Sequence, residues 1–85
     1  MDKSRKLSKK GWINQTPEGE LLLVNENGVA YRVNESIIVV WDAFNDKTVD
    51  EVVVEIASQI DKDPEELREP IEQLAEALLE AELLA

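Results

Sequence analysis

The chain has 85 residues, no cysteine, no histidine and a formal net charge of −10. That composition excludes disulfides, thiolate nucleophiles and zinc sites of the Cys/His kind, together with the commonest acid–base side chain at neutral pH. No stretch approaches the ~20 apolar residues of a membrane span, and a domain this small buries only ~60% of its unfolded surface, so one thin core is expected.

Charge is distributed unevenly. Lys3, Arg5, Lys6, Lys9 and Lys10 crowd the first ten residues, whereas from Gly11 onward four basic side chains, Arg32, Lys47, Lys62 and Arg68, face eighteen acidic ones. The first ten residues carry Leu7 as their one apolar side chain besides the initiator. They read as a disordered basic arm ahead of a single domain over residues 11–85. Such an arm aids solubility, touches an acidic partner, or folds back on its own body. It lacks the apolar segment of a secretory signal, so a cytoplasmic protein is expected.

Trp12-Ile13 opens a short first strand, and Thr16-Pro17-Glu18-Gly19 supplies a turn. Leu21 to Val24 and Val29 to Val33 form a hairpin around Asn25-Glu26-Asn27-Gly28, with Val29, Tyr31 and Val33 on one face and Gly28 supplying a positive φ. Asn34 stands where a helix cap belongs. The run Ile37 to Trp41 has strand propensity, yet Ile37, Val40, Trp41 and Phe44 recur at helical spacing, and the cap and the period favour a helix. Thr48 and Glu51 form a capping box ahead of Val49, Val52, Val53, Ile56, Ala57 and Ile60, which is one helical face. A third helix opens at Asp63-Pro64, with Leu67, Ile71, Leu74 and Leu78 along one side and Leu79 and Leu83 widening the stripe. Pro70 removes an interior backbone bond, so this helix either kinks there or begins near Glu69. The fold class is α+β: a three-stranded antiparallel sheet followed by three helices, winged helix-turn-helix-like.

The segment from Val33-Asn34 through Val40-Trp41-Asp42-Ala43-Phe44-Asn45-Asp46 resembles the PqqD-like family, named after the pyrroloquinoline-quinone (PQQ) biosynthesis protein D. Lys47-Thr48-Val49-Asp50-Glu51 is similar to that family's second helix start. Asp63-Pro64-Glu65-Glu66-Leu67, with Leu74, Leu78, Leu79 and Glu82-Leu83-Leu84, resembles its last helix. The likeness covers roughly Glu20 to the C-terminus. Departures are the bulky Ile37, Ile38 and Val39, Asn45-Asp46 in place of an Asp-Gly turn, Glu82 in place of a closing glycine, and Pro70.

The resemblance implies a non-catalytic element without a cofactor, which binds the leader segment of a ribosomally made precursor peptide and presents it to a modifying enzyme such as a radical-SAM protein. The leader joins as an added strand between the third strand and the third helix. An open edge strand can bond such a peptide through main chain alone, with alternate side chains entering a groove. On this implication the pairing strand is Val29, Ala30, Tyr31, Arg32 and Val33, with Tyr31 giving a main-chain donor. The groove wall is Leu67, Arg68, Ile71, Leu74, Ala75 and Leu78. Core packing is as good a reading as peptide contact for the apolar members. Arg68 is a peptide contact or a partner of Glu65 or Glu72 at helical spacing. Tyr31 anchors a peptide or covers the sheet.

Two rivals are weaker and a third concerns assembly. A winged-helix DNA-binding protein needs basic or amide side chains on its reading helix, whereas these helices carry Asp50, Glu51, Glu55, Glu65, Glu66, Glu69, Glu72 and Glu76. An enzyme using paired carboxylates or a Mg²⁺ or Ca²⁺ site would rest on Asp61-Lys62-Asp63-Pro64-Glu65-Glu66, which lacks the glycine and ligand order of a calcium loop and reads as a solvated helix entrance, so no metal is expected. A homodimer built on the apolar stripe of the last helix is the third reading. No nucleic acid and no membrane are expected as partners.

Overall fold

The computed structural model describes residues 4–85. β1 (Leu7–Ser8), β2 (Trp12–Gln15), β3 (Leu21–Val24) and β4 (Ala30–Val33) precede α1 (Glu35–Ala43), β5 (Asn45–Lys47), α2 (Val49–Ile60) and α3 (Pro64–Glu80). The α+β class expected from sequence is what the chain adopts: a β2-β3-β4 antiparallel meander followed by three helices.

Both hairpins of the meander close in the same way. Thr16 N–H donates to Glu20 C=O and Gly19 N–H to Thr16 C=O; Asn25 N–H donates to Val29 C=O and Gly28 N–H to Asn25 C=O. Gly19 and Gly28 sit at φ 87° and 85°, the left-handed position that lets a three-residue loop return with the twist of its strands. Asn25 is buried, yet every polar atom of its side chain is used. Its Nδ2 donates to Ala81 C=O at 2.9 Å and its Oδ1 accepts from the Asn27 and Val29 amides at 3.0 Å. The turn that leads into β4 is therefore tied to the end of α3.

The helix starts follow their caps. Asn34 Oδ1 accepts from Ile37 N–H, Thr48 and Glu51 form the reciprocal box, and Asp63 caps α3 with Pro64 in the first position. α3 begins at Pro64 and runs through Pro70 to Glu80, which settles the two starts left open for it. Fully enclosed Leu23, Phe44, Val49, Val52, Val53 and Leu83 form the centre of the core. Two residues expected elsewhere differ: Ile60 is 50% exposed, and Leu83 lies beyond α3, its N–H bonded to Leu78 C=O.

The expected disordered arm is corrected for Leu7 to Lys10; its first three residues lie outside the described ones. Leu7 is 1% exposed. β1 pairs with β5, Ser8 and Ala85 exchange main-chain bonds at 2.8 and 3.0 Å, and Lys10 N–H donates to Leu83 C=O at 2.9 Å. The Trp41 indole N–H reaches both Lys10 C=O and Leu83 C=O. Folding back on the body is the outcome because main-chain bonding is indifferent to the charged side chains that made the segment look unstructured, and Leu7 fills the core.

Asp46 and Glu82, two of the departures noted above, adopt φ 56° and 60°. A left-handed residue with a Cβ costs roughly 1–2 kcal/mol. Glu82→Gly is expected to relieve that strain and raise the melting midpoint by a few degrees, about 4–8 °C for each kcal/mol in a domain of this size. A calorimetric scan checks it.

The Glu51 carboxylate titrates below the ordinary range, chiefly because it accepts the Thr48 backbone N–H. A group whose folded value is depressed stabilises above its unfolded pKa and loses that effect as pH falls through the folded one. Glu51→Gln keeps the box, since glutamine serves there too, and is expected to flatten the acid limb of stability against pH in urea melts.

Candidate functional site

β4 has β3 on one side and, among the described residues, no strand on the other. β1, the segment able to cover it, is engaged with β5 and the C-terminal residues instead. Which main-chain groups face outward follows from the hairpin. Opposed residues in an antiparallel ladder alternate between pairs that exchange hydrogen bonds and pairs that do not. The bond from Asn25 N–H to Val29 C=O marks that pair as bonded. Stepping by two along the register makes Leu23/Tyr31 and Leu21/Val33 bonded pairs as well. Tyr31 and Val33 thus spend their main chain on β3. The N–H and C=O of Ala30 and Arg32 point away from the sheet. The expectation that Tyr31 gives the donor to an incoming strand is corrected accordingly.

The two faces of the strand differ. Tyr31 and Val33 share a face with Leu23, which is fully buried in the helix-side core, and Val33 packs against that core. Tyr31 is 38% exposed and Val29 47%, so this face is greasy but incompletely covered. Ala30 and Arg32 lie on the outer face, where Arg32 pairs with Glu20 at 2.8 Å.

The expected groove wall divides. Ile71, Ala75 and Leu78 are 5%, 0% and 4% exposed and belong to the core, while half-buried Leu67 and Leu74 flank it. The apolar stripe expected to join two copies through α3 is consumed inside its own domain. Arg68 joins Asp50 of α2 and Glu65 of its own helix, the latter at 2.9 Å. The hydrogen bond that the guanidinium donates to Glu65, then the charges of Glu65 and Asp50, hold it above its already high ordinary pKa. Arg68 cross-links two helices.

Beyond β4 the chain runs through Asn34 directly into α1, where an apolar cleft of about 340 Å³ opens between the three helices. Ser36, Val39 and Val40 line it from α1, Ile56 and Ile60 from α2, and Leu67 and Ile71 from α3. Val39 and Ile60 are each 50% exposed. The sequence reading missed this cleft apart from Leu67 and Ile71. Its signal was a surplus: Val39 is an aliphatic residue outside the apolar face that Ile37, Val40 and Trp41 define.

Residues 20–84 match the family described as coenzyme PQQ synthesis protein D. The chain belongs to the PqqD family. Membership links it to PQQ synthesis, and the family is one of non-catalytic accessory domains. No curated protein and no solved structure matches the chain. The matched residues contain β3, β4 and all three helices, hence the open edge and the cleft together, whereas β1 and β2 precede them.

Among the described residues of this PqqD-family chain, no group of three His, Cys, Asp or Glu side chains is placed to hold a metal ion, and no helix is long and apolar enough to cross a membrane. The outer surfaces of α2 and α3 expose Asp50, Glu51, Glu65, Glu66, Glu69 and Glu76. That surface repels phosphate and attracts Lys or Arg.

The two kinds of position along β4 separate in stability. Tyr31→Pro removes the donor to Leu23, a residue with no solvent access, and is expected to cost about 1–3 kcal/mol, the penalty of an orphaned buried carbonyl. Ala30→Pro removes an outward N–H at the first residue of an edge strand, where proline is tolerated, and is expected to leave the urea midpoint nearly unchanged.

Proposed function

We propose that this protein captures the leader segment of a precursor peptide as an added strand on β4 and delivers it to a peptide-modifying enzyme, with a radical-SAM protein as the favoured recipient. One observation carries the reading: the outward main-chain groups of Ala30 and Arg32 on an open edge, on the strand that leads into α1, which lines an apolar cleft. Family membership supports it by linking the chain to PQQ synthesis.

Division of labour follows from the geometry. Main-chain bonds to Ala30 and Arg32 set the register and direction of the peptide without reading its sequence. Tyr31 and Val33 offer apolar contact on the helix side of that strand. The cleft between Ser36, Val39, Ile60 and Leu67 accepts a bulky apolar side chain, and this anchor supplies selectivity. The protein holds and orients; bond-making belongs to the enzyme it serves. The acidic surface of α2 and α3 favours a precursor or an enzyme face that bears Lys or Arg.

The test is calorimetric titration with a synthetic leader peptide of a PQQ precursor. Ala30→Pro is expected to weaken binding about tenfold or more, because a charge-free main-chain bond of ~1 kcal/mol and its register are lost. Val39→Asp, at a half-exposed position the fold tolerates, is expected to cost about 1 kcal/mol or more by spoiling the anchor site. Saturable binding that ignores both substitutions contradicts the reading.

A further inference from the structure

The meander has a second open edge. β2 pairs with β3 in regular register from Trp12/Val24 to Gln15/Leu21 and has no strand on its other side among the described residues. The bond from Thr16 N–H to Glu20 C=O marks that pair as bonded. The same alternation makes Asn14/Leu22 and Trp12/Val24 bonded pairs. Ile13 and Gln15 therefore direct their N–H and C=O away from the sheet.

Open edges are ordinarily blunted by lysine, proline or a bulge. Trp12-Ile13-Asn14-Gln15 has none of these, and its ladder to β3 shows no register shift. Trp12 and Ile13, on opposite faces, are 50% and 46% exposed. Four outward polar groups and two half-covered apolar side chains thus await a partner.

We propose that the partner is the β2 strand of a second copy, antiparallel across a two-fold axis at Asn14. A two-fold axis normal to the sheet pairs residues of the same facing, so it must pass through a residue and not between two. Centred on Asn14, it sets Ile13 of each copy opposite Gln15 of the other, and all four outward groups of each strand are satisfied. Centred on Ile13, it sets Gln15 opposite Gly11, whose φ of 83° is not extended. The first register alone uses the whole edge. Being antiparallel, it also turns the Lys10 end of each strand toward the Thr16–Gly19 turn of the other copy, which carries Glu18, twice by symmetry.

Lys10 is fixed by its main chain, bonded at N–H to Leu83 and at C=O to Trp41; its ammonium lies 3.7 Å from Glu26, loosely held. Glu18 is exposed on the Thr16–Gly19 turn. Opposite charges therefore flank an uncharged strand, and antiparallel pairing brings the unlike ends together. The product is a six-stranded sheet with the two β4 edges at its far ends, so the pairing is independent of the peptide reading and leaves both β4 edges free. An interface this short falls at the weak end, below ~1,200 Å², and a dimer that dissociates on dilution is expected.

Sedimentation equilibrium of the full chain over a dilution series tests it. The expected result is a mass moving from one chain to two with concentration. Gln15→Pro deletes an outward N–H that β3 does not use and is expected to raise the dimer dissociation constant at least tenfold with unchanged far-ultraviolet dichroism. Should that variant fail to fold, K10E and E18K each weaken the dimer and the double variant restores it. Loss in a folded variant of either design, with restoration in the swap, carries the proposal. A wild-type chain that stays monomeric up to about 1 mM, where association is worth only ~4 kcal/mol, overturns it. So does a dimer that neither design alters. Peptide titration of the monomeric variants separates this outcome from failure of the β4 reading.

Discussion

An antiparallel ladder cannot satisfy both sides of a residue's main chain with one neighbour. In this chain the two glycine-closed loops decide which residues are left over. Gly28 and the Asn25–Val29 bond set the phase of the β3–β4 hairpin, and every second residue of β4 is then turned outward. The phase is held firmly, because the Asn25 side chain ties the same loop to Ala81 at the end of α3. The proposed function of this edge depends on a parity, and the parity depends on a buried asparagine.

The termini complete the body that carries the edge. Leu7 enters the core while its neighbours bond to β5 on one side and to residues 83–85 on the other, and the Trp41 indole joins both segments. Trp41 stands on α1, the helix whose Ser36, Val39 and Val40 line the cleft. N-terminal pairing, α1 and the cleft are therefore one mechanical unit. It also holds Leu7 to Lys10 away from β4, so among the described residues no segment of the chain pairs with the open edge.

Sequence carried the helices well. Asn34, the Thr48 and Glu51 box and Asp63-Pro64 announce three helix starts by local chemistry, and each is used as written. The hairpin and its glycine were equally plain, since a three-residue loop of this kind demands a left-handed residue. β1 and β5 were hidden because Leu7 and Ser8 pair with Lys47 and Asn45 through main chain, with Ser8 Oγ accepting from the Asp46 amide, while the polar side chains around them advertise solvent. Site residues were legible only in part. Ile71, Ala75 and Leu78 follow a helical stripe, and a stripe cannot say whether its cover is the protein or a ligand. The direction of the Tyr31 amide needed the phase of the hairpin, which residue types do not encode. Asp46 and Glu82 show the converse: places where the family resemblance implies glycine keep the glycine conformation after losing the glycine.

Amide hydrogen exchange, read residue by residue with and without the precursor peptide, tests the central claim most directly. In the free protein Tyr31 and Val33 should be protected while Ala30 and Arg32 exchange rapidly, and saturating peptide should slow the second pair. Ala30 and Arg32 already slow in the free monomer, or still fast when peptide is fully bound, would contradict the account.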